Sequence, residues 1–254
     1  MGAFAQWMLR IHESAVRTNN RNILRLLEPW PNCCLIDLGC NDGAWTKRVA
    51  SALHTSRVSG IDLSQNAGRV ARTNGIEYIF ADLSKPLPIC DNSMDVVHAN
   101  QVIEHLADVD TFVQETYRIL RPGGYAIIST ENLASVDNLF AMAMGQQAFS
   151  QHVSRRFHIG NRFSPHYAEP VPDELGLHRT VFAFYALRQL LQLYDFDVEA
   201  ELGAGYPPFP SILGLVDPIH ARFITAKARK PQVRLHPDRK AKPLGLTPQQ
   251  AGIP

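Results

Sequence analysis

The residues able to do chemistry in this chain collect at the ends of short apolar runs. Leu35-Ile36-Asp37-Leu38-Gly39-Cys40-Asn41-Asp42-Gly43 carries one such run straight into a glycine turn. Gly39 and Gly43 lack side chains, as a backbone that approaches a ligand closely requires. Asn41 holds the middle of the turn, and asparagine tolerates positive φ. The spacing is not G-x-G-x-x-G and no Gly-Lys-Ser/Thr follows, so a phosphate cradle is not indicated. Asp62, in Gly60-Ile61-Asp62-Leu63, lies 23 positions after Gly39. A carboxylate there accepts both hydroxyls of a ribose. Asp82, in Phe80-Ala81-Asp82-Leu83, suits the exocyclic amine of a base, with Leu63 and Leu83 sandwiching its ring. The segment from His98 through Asn100 to Glu104-His105 would lie beside whatever the ribose carries.

These residues need a scaffold that brings strand ends together. Hydrophobic period and Gly/Pro punctuation divide the chain into alternating elements. Strands are expected at 33–38, 58–61, 76–80, 94–98 and 125–130, with helices at 4–27, 43–53, 65–73 and 109–120. Arg121-Pro122-Gly123-Gly124 reads as a helix stop. Such alternation predicts an α/β fold with a mostly parallel sheet covered on both faces. Ligands then sit outside the carboxyl ends of the strands, where strand order reverses. After the fifth strand the alternation breaks. The stretch 131–179, with four histidines and three prolines, is expected to be a lid or substrate wall. A helix at 183–193 and strands at 196–202 and 221–227 complete seven strands, with 203–218 as a hairpin-like excursion.

Composition excludes several classes. The 254 residues carry a formal charge of +1 and are 45% hydrophobic, which excludes a disordered chain, a collagen-like repeat and a coiled coil. No apolar run reaches the roughly 18 residues of a membrane span. The start lacks a basic n-region, so no secretory leader is expected and a cytoplasmic location is inferred. Cys33, Cys34, Cys40 and Cys90 form no C-x-x-C pair and are read as reduced thiols, not metal ligands. Between Lys227 and Lys242 seven basic residues face one acid, Asp238. The chain is therefore divided into a domain at 1–230 and a basic, Pro-rich flexible tail at 231–254.

Six segments together resemble the class I S-adenosylmethionine-dependent methyltransferases, within them the ubiquinone/menaquinone-type (type 11) domain. They are 37–43, 60–64, 80–83, Asp95-Val96-Val97, Val102-Ile103-Glu104-His105-Leu106 and Leu120-Arg121-Pro122-Gly123-Gly124, in family order and spacing. Asn41 departs from the more usual glycine. The resemblance implies a Rossmann-like seven-stranded sheet with a lid insertion after the fifth strand, and S-adenosyl-L-methionine as cofactor. It implies that Asp37 orients the cofactor's amino group, with backbone at Gly39, Cys40, Asn41 and Gly43 lining that end. Asp62 and Leu63 would hold the ribose side, Asp82 and Leu83 the adenine, and backbone at Asn100 would close the pocket.

The implied reaction is in-line methyl transfer, probing mainly the enzyme's ability to align two groups in a dry site. A general base is needed only for a weakly acidic hydroxyl, and Glu104, His105 and His178 are the candidates. The expected acceptor is a small molecule, glycan or lipid precursor, methylated at oxygen, with no metal ligand set assigned. Two alternatives remain open. Gln101-Val102-Ile103-Glu104-His105, with His178, resembles the metal site of small-RNA 3′-terminal 2′-O-methyltransferases, although Gln101 replaces a charged ligand. A non-catalytic S-adenosylmethionine-binding protein would share the same fold. Oligomeric state is not readable from the sequence.

Overall fold

The computed structural model describes residues 3–172 and 176–232. Seven strands form one sheet: β1 (Leu35–Leu38), β2 (Val58–Asp62), β3 (Glu77–Phe80), β4 (Met94–Asn100), β5 (Leu120–Glu131), β6 (Asp197–Ala204) and β7 (Phe223–Arg229). Their order is β3-β2-β1-β4-β5-β7-β6. All neighbouring pairs are parallel except those of β7, which runs antiparallel to both β5 and β6. Strand order therefore reverses between β1 and β4, and the expected crevice opens there.

β1 shows why the sheet needs cover on both sides. Leu35, Ile36 and Leu38 are wholly buried, and alternation sends them to opposite faces. Leu35 packs with Ile23, Val49, Leu53 and Val96 on one face. Ile36 and Leu38 join Val97, Ile103, Phe112 and Ile128 on the other. Each such side chain contributes roughly 1.5–3 kcal/mol on burial. The helices α1 (Ala3–Leu26), α2 (Ala44–Leu53), α3 (Gln65–Thr73), α4 (Val109–Ile119), α5 (Val136–Ala143) and α6 (Phe184–Leu193) follow, with a short turn α7 (Leu213–Val216). Asp108 caps α4 through the Thr111 N–H at 2.9 Å, and the buried stripe Phe112, Val113, Thr116, Ile119 fixes its face.

Two boundaries differ from the sequence expectation in ways that matter here. The fifth strand runs back through Pro122-Gly123-Gly124, because Leu120 pairs with Met94 across an irregular step between Met94 and Val96. Gly123, at φ 85°, supplies the bend there, and its N–H donates to the Lys230 carbonyl. The last strand extends to Arg229, so part of the basic stretch is structural. Lys227 pairs with Glu28 and Glu199. The buried Lys230 ammonium donates to the Tyr117 and Leu120 carbonyls and to Asn92 Oδ1. The flexible tail assigned to 231–254 lies outside the described residues apart from Pro231 and Gln232.

The long excursion after β5 holds α5 and mostly irregular backbone. Asn132 anchors its start, its side-chain amide donating to the Ile219 and Ala221 carbonyls at 2.7 Å each. Asn138 then reaches the Asn132 carbonyl and Ser150 Oγ. These bonds tie the start of the excursion to the segment that leads into β7 and to its own later turn at Ser150.

Candidate active site

A cleft of about 640 Å³ opens at the reversal point. Its walls include Asp37, Gly39, Cys40, Asn41, Asp62, Leu63, Leu83, Asn100 and His105. Most of the expected binding residues thus meet in one place. Gly43 and Asp82 are not among the lining residues. Gly43 is glycine for packing: it begins α2 at φ 75°, and a Cβ there would stand 2.7 Å from Ile76 Cγ1. Gly39 likewise avoids Val102, whose Cγ2 would lie 2.3 Å from an added Cβ. Close approach to neighbouring protein atoms is enough to require glycine at both positions. The Asp82 carboxylate accepts from the Ser84 N–H at 2.9 Å and pairs with Lys85 at 3.3 Å.

Asp62 sits at the end of β2 because its carboxylate organises two loops. Oδ2 accepts from the Asn41 N–H at 2.9 Å and Oδ1 from the Ser64 N–H at 2.8 Å. Asn41 adopts φ 46°, the turn geometry its residue type permits. Each Asp62 oxygen keeps one lone pair for a hydroxyl. Beside it Leu63 leaves 42% of its surface exposed, an apolar face on which a flat ring can lie, with Leu83 across the cleft.

Deeper in, Asp37 is buried between Thr46 and His98. Its Oδ2 accepts from the Thr46 hydroxyl, and its Oδ1 lies 2.7 Å from His98 Nδ1. Trp45 Nε1–H donates to His98 Nε2 at 3.2 Å. That donation requires a bare Nε2, so the His98 proton sits on Nδ1 and faces Asp37. Cys40 is buried against Gly60; burial first, then Asp37 and Asp62, push its thiol up to about 12, which excludes a thiolate nucleophile at neutral pH. Asn100 is steadied from α1: Asn19 Nδ2 donates to its Oδ1 at 3.1 Å, while Asn19 Oδ1 accepts from Ser129 and Thr225.

Sequence reasoning gave no role to Asn19 or Trp45, and placed His98 only within the segment beside the ribose substituent. Trp45 follows the glycine turn in the first turn of α2, a position that signals a cleft wall. Asn19 carries no local signal, because its partners are 81 to 206 positions away.

At the far end the structure brings Glu104, His105 and His178 together. Glu104 and His105 lie in a 3₁₀ turn after β4 (Ile103–His105). The Glu104 carbonyl accepts from the Arg179 and Thr180 N–H groups at 2.7 and 3.1 Å, which fastens the returning chain to this turn. The rings of His105 and His178 are 4.8 Å apart. Glu104 is fully buried, and burial raises its pKa to about 8 despite the hydrogen bond from Thr130. Burial first, then His178, lowers that of His105.

The comparisons decide what this scaffold is. Residues 36–128 match the methyltransferase domain family, and that span holds β1 to β5 and the cleft's strand ends. Residues 36–128 are a methyltransferase domain. The chain is 24% identical over 204 residues to the ubiquinone biosynthesis O-methyltransferase of Chromobacterium violaceum, covering 77% of this chain and 78% of that one. It is 31% identical over 110 residues to the malonyl-acyl-carrier-protein O-methyltransferase of Buchnera aphidicola, covering 42% and 43%. In two further curated relatives it spans only 42% and 38% of their length. It superposes with TM-score 0.56 and 18% identity on Haemonchus contortus phosphoethanolamine N-methyltransferase 2, solved with S-adenosyl-L-methionine, over 84% of this chain and 52% of that one. No described helix is long and apolar enough to cross a membrane.

Proposed function

We propose that this chain transfers a methyl group from S-adenosylmethionine to a hydroxyl oxygen of a small organic acceptor. The reading is carried by the cleft itself, whose walls run from Asp62, Leu63 and Leu83 past Asp37 to His105 and Gly176. Asp62 would take the ribose hydroxyls, Leu63 and Leu83 the ring faces, and the Asp37 region the amino group. The lining residues include Asp37, Asp42 and Asp62 but no Lys or Arg. Carboxylates suit a cationic donor and repel phosphate. The bound cofactor would supply the electrophilic methyl group. The chain's part is to align the acceptor with it, exclude water and remove a proton from the hydroxyl, for which His105 stands at the acceptor end. Oxygen as the target is supported by the O-methyltransferase names of the Chromobacterium and Buchnera relatives.

The test is incubation with methyl-labelled cofactor and a panel of phenols, hydroxy acids and glycans, reading product by mass. Label in an O-methyl ether or ester is expected. Label found only on nitrogen or carbon, with every hydroxyl acceptor inert, refutes the assignment.

A further inference from the structure

The cofactor cleft has a neighbour of opposite charge. The second cleft measures about 430 Å³, and the two share Leu106 as a wall. His105 lines the first and His178 the second, with their rings 4.8 Å apart. Asp37, Asp42 and Asp62 line the first, with no Lys or Arg. Arg155 and Arg179 line the second, with no Asp or Glu among its described walls. Both arginines are exposed, and neither guanidinium pairs with another described residue. The backbone under each is fixed. The Arg179 N–H donates to the Glu104 carbonyl at 2.7 Å. Beside Arg155, the Ser154 hydroxyl oxygen accepts from the Arg156 and Phe157 N–H groups at 3.1 and 3.3 Å, and Phe157 bridges to Pro170. With its oxygen so used, Ser154 keeps its proton for an outside acceptor. Thr180 adds a second hydroxyl to this wall. His152 adds an imidazole kept neutral, its pKa pushed down to about 4 by burial first and then by His178. Glu131 approaches His178 Nδ1 at 3.8 Å but is not a wall of this cleft.

We propose that this second cleft binds an oxyanion of the acceptor, a carboxylate or a phosphate, through Arg155 and Arg179. Both sources share the chemistry that matters, because a planar guanidinium fork matches two oxygens of either group. Two cations set among neutral donors, with no acid in the wall, make a place that gains by taking up an anion. The shared wall at Leu106 gives the acceptor its direction. Its hydroxyl would stand at His105 while its anionic group stands at Arg155 and Arg179. Sorting by charge then keeps each ligand in its own cleft: carboxylates repel the anion from the first, and arginines repel the sulfonium from the second. The assignment of the anion to the acceptor rests on the function proposed above; the oxyanion site itself does not.

The test is calorimetric titration of the full chain with benzoate and with phenyl phosphate, each against benzamide as the uncharged match, with and without saturating S-adenosylhomocysteine. One anion per chain is expected, bound about tenfold or more tighter than benzamide and weakened by added salt. Phenyl phosphate ahead of benzoate points to a phosphate on the acceptor, and the reverse order to a carboxylate; either order supports the site. Arg155→Ala and Arg179→Ala should each weaken anion binding by about tenfold, whereas Arg25→Ala, on α1 and outside both clefts, should not. Circular dichroism verifies folding, and Arg155→Gln or Arg179→Gln replaces an alanine variant that unfolds. No saturable heat from either anion, benzamide binding as tightly as the anions, or unchanged binding in the folded arginine variants overturns the site. The heat of S-adenosylhomocysteine binding is read on the same samples. Its absence from the unmodified chain would count against the proposed function, while the anion titration without it still decides the oxyanion site.

Discussion

Replacing Asp62 by alanine probes the cofactor reading where the geometry is most explicit. The carboxylate holds the Asn41 and Ser64 N–H groups at 2.9 and 2.8 Å and leaves one lone pair per oxygen for a ribose hydroxyl. Hydrogen bonds to a charged acceptor contribute roughly 1.5–3 kcal/mol each. Losing two such bonds to the ligand, partly offset by water that enters the exposed site, costs about 3 kcal/mol, or roughly 100-fold in Kd. The two loop bonds are solvent-exposed, so their loss lowers stability by only about 1 kcal/mol. Asp62→Asn keeps one acceptor oxygen and should fall between the parent and Asp62→Ala. Trp45 lines the same cleft, so its fluorescence reports binding of S-adenosylhomocysteine, while urea unfolding verifies the fold. A folded Asp62→Ala protein binding within about threefold of the parent would refute the ribose assignment.

Gly39→Ala places a Cβ 2.3 Å from Val102 Cγ2 at φ 83°. Strain and overpacking together should cost about 2–4 kcal/mol in denaturant unfolding, part of it recovered by adding Val102→Ala. Parental stability in Gly39→Ala would show the contact to be unimportant. His12 packs edge-on to Phe223, and burial first, then Arg222, lowers its pKa from 6.5 to about 4. Its folded form resists protonation that the unfolded chain accepts, so stability should fall as pH drops from 6.5 towards 4. Solvent access to the half-buried ring limits this loss to about 1–2 kcal/mol. His12→Gln should flatten that part of the stability profile, and an unchanged slope would remove His12 as its source. Of the four cysteines only Cys90 is exposed, while burial pushes Cys33 up to about 11 and Cys40 up to about 12. A disulfide reagent at pH 8 should therefore find one fast thiol; rapid labelling of Cys40 would contradict its burial.

The scaffold was legible where one residue type has one structural use. The run ending at Leu38, the acid at Asp62 and the apolar residues Leu63 and Leu83 announced their places, because a parallel sheet demands continuous apolar strands and gathers their carboxyl ends. Reading failed where a residue's purpose lies across the chain. Gly43 looked like ligand clearance and is clearance for Ile76. Lys227, Arg229 and Lys230 looked like the root of a charged tail, yet Glu28 in the loop after α1 and Glu199 on the neighbouring strand β6 pair with the first two. The Glu104, His105 and His178 cluster was half visible. Adjacency gave the first two, but only the main-chain bonds from Arg179 and Thr180 to Glu104 bring in the third.

The most direct examination of the whole account is calorimetric titration of the full, unmodified chain with S-adenosylhomocysteine. The account predicts a saturable heat with one ligand per chain and a micromolar Kd, corresponding to about −8 kcal/mol. A well-folded sample giving no saturable heat at millimolar ligand would contradict it.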